Sequence, residues 1–297
     1  MTREMTADAP QIQAFNEHRS LIFSIAYRML GSVMDAEDAV QETYLRWQQS
    51  GEDAVRSPKS YLSTVVTRLC IDQLRSAKRQ REEYIGPWLP EPLVMEETAD
   101  MDENLALADS LSMAFLVMLE ALNPTERAAF LLREVFEYPY AEIAAIVDKS
   151  ESNCRQMVRR ARQRVAERRH RYEPSKAQLQ QMVSRFLIAA QQGDMDGLLE
   201  MLEEDVTLWS DGGGKTAAAI NPIYGADKVA RFFIGIISKM PPDTVSKAAR
   251  VNGQPGLIVY IDGKPYSVMV AEMQDEKVAA IRIVVNPEKL RHIAALA

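Results

Sequence analysis

Tyr140-Ala141-Glu142-Ile143-Ala144-Ala145-Ile146-Val147, then Asp148-Lys149-Ser150, then Glu151 through Val165: two helix-forming stretches stand three polar residues apart. The first is short and apolar. Ser150 is a good cap for the second. Within the second, Cys154, Val158 and Ala161 recur at helical spacing and predict an inward face. Ser152, Asn153, Arg155, Gln156 and Arg159 fall on the outward face. The pattern fits helix-turn-helix, although helix pairs with short turns also occur in plain bundles. Charge separates the two readings, because nine basic residues between Lys149 and Arg171 face only Glu151 and Glu167. Short polar side chains near a helix N-terminus approach base edges, and arginines further along reach guanines or phosphates. The five outward residues are therefore candidate DNA contacts.

The whole chain hides this signal. At 297 residues it is long enough for two or three domains, and its net charge of −7 argues against nucleic acid at first sight. Locally the sign reverses twice. Five basic residues between Arg68 and Arg81 are opposed only by Asp72, whereas Glu91 to Asp109 carries seven acidic residues and no basic one. Two basic helices on either side of an acidic tether make a split footprint, and DNA affinity follows the local patch. No apolar run reaches the roughly 20 residues of a membrane span, and the N-terminus has no apolar signal core. The expectation is a cytoplasmic protein with no membrane association. Cys70 and Cys154 sit in helical patterns far apart and read as small core residues.

Upstream, residues 12–30 predict an apolar helix stopped by Gly31. Asp35 then reads as the cap of a second helix that buries Ala36, Val40, Thr43, Tyr44 and Trp47 and presents Glu37, Asp38, Gln41, Glu42 and Arg46. A polar loop from Gln48 to Ser57 follows. Ser57-Pro58 starts a third helix, predicted to bury Leu62, Val65, Val66, Leu69, Cys70 and Leu74 and to expose Thr64, Thr67, Arg68, Asp72 and Arg75. Gly86-Pro87-Trp88-Leu89-Pro90-Glu91-Pro92 cannot be helix and reads as linker. Asn123-Pro124-Thr125-Glu126 has the signature of a capped helix start. The divisions this predicts are residues 1–84, a linker over 85–104, 105–172, and 175–297.

The C-terminal stretch changes character. Two amphipathic helices, Ser175–Gln192 and Asp194–Glu203, precede strand-like runs at Val206–Ser210, Lys247–Val251, Leu257–Ile261, Tyr266–Met273 and Val278–Val285. A helix over Ala226–Met240 interrupts them, and Asp262-Gly263 marks a hairpin. The fold class expected is multidomain, with two all-α domains followed by an α+β domain on a curved antiparallel sheet.

Three motifs in order carry a family resemblance. Asp35 to Tyr44 resembles the acidic helix with which sigma factors grip the polymerase clamp. Tyr61-Leu62 through Ile71-Asp72-Gln73-Leu74-Arg75 resembles the helix that melts and reads the −10 element, with Thr67-Arg68 where many members have Arg-Asn. Leu122 to Arg127 followed by the helix-turn-helix resembles the −35-binding domain. The short tether between them marks the extracytoplasmic-function group of RNA polymerase sigma factors, and the resemblance covers residues 12 to about 171. It implies polymerase core (clamp and flap) and promoter DNA as partners, no cofactor and no catalysis. It assigns Asp35, Glu37, Asp38, Gln41 and Glu42 to polymerase, Thr64, Thr67, Arg68 and Arg75 to the −10 element, and Ser152, Asn153, Arg155, Gln156 and Arg159 to the −35 element. In this group the loop before the −10 helix captures a flipped base, so Gln48–Ser57 is a candidate for that step.

The C-terminal domain resembles the SnoaL-like branch of the NTF2-like superfamily, and three stretches resemble the sigma subgroup that carries it: Trp88-Leu89-Pro90-Glu91-Pro92, Asp211-Gly212-Gly213-Gly214-Lys215 and Asn286-Pro287-Glu288-Lys289-Leu290. The resemblance implies control of the sigma domains in cis, with Trp88, Leu89, Asp211, Gly212, Gly213, Gly214, Lys215, Asn286, Pro287, Lys289 and Leu290 as regulatory residues. Two rival functions stay open. One is a ligand-sensing DNA-binding regulator, with Trp209, Tyr224 or Phe233 as walls of a small-molecule site. The other is an enzyme on the cone. Acid–base sites on this fold usually pair a histidine with a carboxylate, yet His292 is the one histidine of the domain, with Asp205, Asp211 and Asp262 as the lone-carboxylate alternative.

Overall fold

The computed structural model describes residues 8–50, 57–95, 110–166, 176–274 and 276–296. It divides into two compact units: Met1–Glu82 with Leu116–Arg168, and Glu83–Phe115 with Arg169–Ala297. The tether thus belongs with the C-terminal domain, and the two helical regions share one body.

In the helical unit, α1 (Asp8–Leu30) stops where Gly31 takes a φ of 68° and returns its N–H to the Tyr27 carbonyl. The next helix, α2 (Val33–Gln49), is capped by Ser32, whose hydroxyl accepts from the Asp35 backbone N–H, so Asp35 lies in the first turn rather than at the cap. α3 (Pro58–Glu82) begins at its proline, with the Ser57 hydroxyl accepting from Ser60 N–H. α4 is Met113–Leu119, and α5 (Pro124–Glu134) opens on a reciprocal capping box between Asn123 and Glu126. α6 (Tyr140–Val147) ends on Asp148 in the left-handed region, and α7 (Glu151–Ala166) is capped by Ser150. Ile22, Ile25 and Met29 of α1 are buried, as are Leu62 and Val66 of α3, Leu131 and Leu132 of α5, and Ile143 and Ile146 of α6. α3 packs against α1, α2, α5 and α6, and α5 packs against α7.

The second unit has α8 (Lys176–Gln192) and α9 (Met195–Met201, capped by Asp194), with α10 (Ala226–Ile237) between strands. Its strands are β2 (Leu202–Asp211), β3 (Ile223–Tyr224), β4 (Val245–Val251), β5 (Gln254–Ile261), β6 (Lys264–Gln274) and β7 (Lys277–Val284), and the linker adds β1 (Val94–Met95). The sheet order is β1-β4-β5-β6-β7-β2-β3. β2 pairs with β7 in parallel, so the sheet is mixed rather than purely antiparallel: the chain leaves β2, passes through α10 and the β4–β6 meander, and returns alongside it. Asp262-Gly263 forms the expected two-residue hairpin, with φ of 50° and 70°. Asn252-Gly253 forms a second, with φ of 52° and 75°. One sheet face meets the helices through Leu208, Leu257, Val259, Met269, Ile281 and Ile283, packed with Phe186 and Phe233. Between this face and α8 lies a void of about 10 Å³, with room for about one water and lined by apolar side chains such as Met182, Phe186 and Met273.

Candidate nucleic-acid interface and linker clasp

The helix-turn-helix surface has the arrangement expected of it. Cys154, Val158 and Ala161 are buried on α7, and Ser152, Asn153, Arg155, Gln156 and Arg159 are exposed. The Arg155 guanidinium lies 4.6 Å from the Tyr140 ring centroid and 2.9 Å from Glu151, which holds its long side chain beside the first turn of the helix. Arg162 is bidentate on Glu134, which ties α7 to α5 and raises the guanidinium pKa through that hydrogen bond. Buried Glu126 also ties α7 to α5, pairing with Arg160 at 3.5 Å and Arg164 at 2.9 Å. Several arginines of this run are therefore structural.

The surface predicted for the −10 element needs a correction. Thr67 is fully buried, and its Oγ1 has no hydrogen-bond partner among the described residues. The cause is packing: this side of α3 lies on α5 and α6. Next to it the Ser63 and Tyr138 hydroxyls meet at 2.7 Å, and the Arg68 guanidinium donates to the carbonyls of Ala145 and Ile146 at 2.9 Å each. These carbonyls end α6, where the helix dipole favours a cation. Thr64 is half-buried and bonds back to the Ser60 carbonyl, while Arg75 is exposed beside Asp72. Val65 and Leu69, expected in the core, are only partly buried. Most of the candidate base-capture loop, residues 51–56, lies outside the described residues, as does the basic run beyond Ala166.

On α2, Asp38 and Gln41 are exposed, and Asp35, Glu37 and Glu42 are half-buried. Glu37 pairs with Arg19 at 2.6 Å and Glu42 with Arg46 at 2.8 Å. Met34 and Leu45 are about half exposed, one helical turn to either side of Asp38 and Gln41. Sequence reading missed these two apolar residues, although their spacing was visible.

Three sequence stretches far apart in the chain meet in the C-terminal unit around Asp211, which is fully buried at the end of β2. Its carboxylate accepts from the Tyr84 hydroxyl at 2.5 Å, the Leu89 N–H at 2.8 Å and Lys289 Nζ at 2.8 Å. Its backbone carbonyl accepts from Val285 and Asn286 N–H. Lys289 also donates to the Leu89 carbonyl, and its ammonium lies 4.3 Å from the Trp88 ring centroid and 5.0 Å from that of Tyr84. Asn286 donates to the Tyr84 oxygen and caps the 3-10 turn Pro287–Leu290, in which Leu290 is buried and Pro287 exposed. The linker is thus stitched down at Tyr84 and Leu89, and again at Pro92, whose carbonyl lies 2.7 Å from His292 Nε2.

The glycines make the close approach possible. A Cβ on Gly213 (φ 57°) would collide with the Asn286 amide and lie 2.8 Å from the Tyr84 hydroxyl; one on Gly214 (φ 70°) would lie 2.8 Å from the Ile85 side chain. A Cβ on Gly212 would meet the Thr216 carbonyl at 2.5 Å. Lys215 pairs with Glu288 at the surface. Tyr84 was not among the predicted residues, because a tyrosine at the end of a helix carries no signal of its own.

Burial, with the hydrogen bond and charge of Asp211, raises the Tyr84 pKa from its ordinary value of 10.0. A phenol whose folded pKa is raised contributes stability that is complete below the unfolded value and is lost as pH climbs through the folded one. A tyrosinate absorbance titration of the intact protein against Tyr84→Phe should therefore give a difference trace whose midpoint lies above pH 10. A midpoint at or below 10 would mean that the clasp does not hold the phenol.

The proposed aromatic wall does not assemble. Phe233 is core, edge-on to Phe186 at 4.8 Å; Trp209 stacks on Arg282 on the other sheet face; and Tyr224 is 62% exposed. Arg282 pairs with Glu272 there, and burial lowers its pKa to about 10.

The helical unit has the two modules of a sigma-70 initiation factor: Sigma-70 region 2 matches residues 14–80 and Sigma-70, region 4 matches residues 112–165. Over 94% of this chain and 93% of the relative, the sequence is 36% identical to the ECF RNA polymerase sigma factor SigJ of Mycobacterium tuberculosis, and over 98% of each it is 31% identical to that organism's probable ECF RNA polymerase sigma factor SigI. The crystal structure of M. tuberculosis SigJ superposes with a TM-score of 0.75 at 35% identity, covering 94% of this chain and 97% of that one. The chain belongs to the extracytoplasmic-function RNA polymerase sigma factors, and its C-terminal α+β domain lies within the span that the SigJ crystal structure covers. It is a factor for promoter-directed transcription initiation. Among the described residues no helix is long and apolar enough to cross a membrane.

Proposed function

We propose that the C-terminal domain controls this sigma factor in cis by gripping the interdomain linker, rather than acting as an enzyme. The observation that carries this reading is the buried Asp211–Lys289 pair, whose hydrogen-bond capacity is spent largely on Tyr84 and Leu89 of the linker. In a catalytic site such groups would face a substrate. Here they face the chain itself, and the cone interior is apolar. Trp88, Leu89, the Asp211–Lys215 loop and the Asn286–Leu290 turn are the regulatory residues. Ser152, Asn153, Arg155, Gln156 and Arg159 read or position the −35 element, and Thr64, Thr67, Arg68 and Arg75 serve the −10 element once region 2 is free to meet DNA. Asp35, Glu37, Asp38, Gln41 and Glu42, with Met34 and Leu45 as apolar anchors, form the face for the polymerase clamp, and region 4 meets the flap. The glycine loop also borders a surface cavity of about 440 Å³ with Ile85, Ser210, Lys215 and Ile220 in its walls, in the size range of small-ligand sites and the place where a small-molecule effector would reach the clasp.

Run-off transcription with purified core polymerase tests this reading. The intact protein should give factor-dependent transcripts. Trp88→Ala, which removes the ring beside Lys289, should change transcript yield at equal protein abundance. Equal yields from both proteins over a range of salt would reject cis control and leave the ligand-sensor reading.

A further inference from the structure

Asn252 lies outside every motif discussed above, yet it is completely buried and holds both ends of one linker segment. Its backbone N–H donates to the Leu93 carbonyl at 2.8 Å, its Oδ1 accepts from the Leu93 N–H at 3.0 Å, and its Nδ2 donates to the Leu111 carbonyl at 2.9 Å. The left-handed backbone of the hairpin, φ 52°, turns the side chain to the linker, and the register Val94↔Val251, Met95↔Arg250 continues the same attachment as strand pairing. Leu93 and Leu111, which flank most of the acidic run in the sequence, are thereby held at a single side chain.

We infer that Asn252 is a positioning residue that shortens the tether between regions 2 and 4 and so favours the closed packing of α3 on α5 and α6; this inference rests on the cis-control reading. Residues 83–112 connect the two regions and span roughly 100 Å when fully extended. Holding Leu93 and Leu111 at one side chain removes more than half of that reach. A shorter tether raises the effective concentration of each module at the other. The closed packing is also the state in which Thr67 is inaccessible and Arg68 is engaged with α6. It is not a relaxed state, because it buries the Thr67 hydroxyl without a partner, a cost that opening relieves. A modest change in tether length is therefore enough to move the balance, and Asn252 sets that length.

Asn252→Gly in the full-length chain tests the inference. Glycine accepts the same φ and keeps the backbone N–H, so the hairpin survives while both side-chain bonds are lost. Dyes at Glu17→Cys and Lys149→Cys report the separation of regions 2 and 4, and hydrogen exchange reports the Leu93 amide. The expected result is Leu93 exchange about tenfold faster, with the open-to-closed ratio up about threefold, the change expected when the residues between Met95 and Leu111 rejoin the free tether. Asn252→Asp, which keeps the acceptor for Leu93 but loses the donor to Leu111, should raise the open-to-closed ratio while the Leu93 amide stays protected. In Asn252→Gly, faster Leu93 exchange with an unchanged dye separation would overturn the inference, and so would unchanged exchange. Neither result would touch cis control itself, which stands or falls on the Trp88→Ala transcript yield.

Discussion

Replacing Asp211 by alanine should release the linker from the C-terminal domain, weakening its attachment by about 3–5 kcal/mol, as expected when one partner of a buried ion pair is removed. The size follows from what is left behind. The Lys289 ammonium stays buried against the Trp88 and Tyr84 rings without its counter-charge, and the Leu89 N–H and Tyr84 hydroxyl lose their acceptor. Hydrogen exchange at Leu89 is the direct readout, and it should speed up at least a hundredfold, since roughly 1.4 kcal/mol corresponds to tenfold. Asp211→Asn should cost less, because the amide oxygen still accepts. The double variant Asp211→Leu with Lys289→Met should be less destabilised than Asp211→Ala alone, since it removes both buried charges together. Leu89 protection that is the same in Asp211→Ala as in the intact protein would show that the carboxylate does not hold the linker.

How much of this was legible beforehand divides along physical lines. The elements were readable wherever a local signal decides: Ser57-Pro58, the Asn123–Glu126 capping box, the Asp148–Ser150 turn and the Asp262-Gly263 hairpin all act within a few residues. The outward and inward faces of α7 followed from periodicity alone. The stretches around Trp88, Asp211 and Lys289 were assigned to one function by resemblance, and the fold brings them together. What could not be read was partner choice at long range. Thr67 sits at a position on α3 that periodicity leaves exposed, and only its packing on α5 and α6 buries it. The parallel pairing of β2 with β7 depends on where the chain returns, which no strand encodes alone. Asn252-Gly253 carried a visible hairpin signal, but the second use of that asparagine, as a staple for Leu93 and Leu111, depends on residues 159 and 141 positions earlier in the chain. Tyr84 and the exposed Met34 and Leu45 fall in the same class. Chemistry that is spent inside the molecule leaves a weaker mark on a sequence than chemistry presented to solvent.

Arg127→Ala should be the most destabilising single change in the helical unit. The guanidinium is 3% exposed and serves three acceptors at once: the Leu119 carbonyl at 3.1 Å, the Met29 carbonyl at 2.7 Å and the Glu120 carboxylate at 2.8 Å. Met29 and Leu119 lie at the C-terminal ends of α1 and α4, where main-chain carbonyls have no partner within their own helix and the dipole is negative. One planar cation thus neutralises the ends of two helices while its other edge meets a carboxylate. Alanine would take this partner from the Met29 carbonyl and the partly buried Glu120 charge, while the Leu119 carbonyl keeps the Leu122 N–H, at a cost of about 3–5 kcal/mol. Arg127→Lys should recover only part of this, because a single ammonium cannot span acceptors that the forked guanidinium reaches simultaneously. Urea unfolding followed by the far-ultraviolet helix signal is the measurement, with Arg75→Ala as the control, since Arg75 lies at the surface beside Asp72 and its loss should move stability by less than about 1 kcal/mol. Because Arg127 in region 4 grips the end of a region 2 helix, the same variant should also separate the two regions, raising the dye distance that reports the closed packing. If Arg127→Ala lost stability while that distance stayed fixed, the grip on Met29 would be local to the helix end. The closure of regions 2 and 4 would then rest on other contacts, among them Arg68, the Ser63–Tyr138 pair and the Lys59 ammonium over the Tyr138 ring.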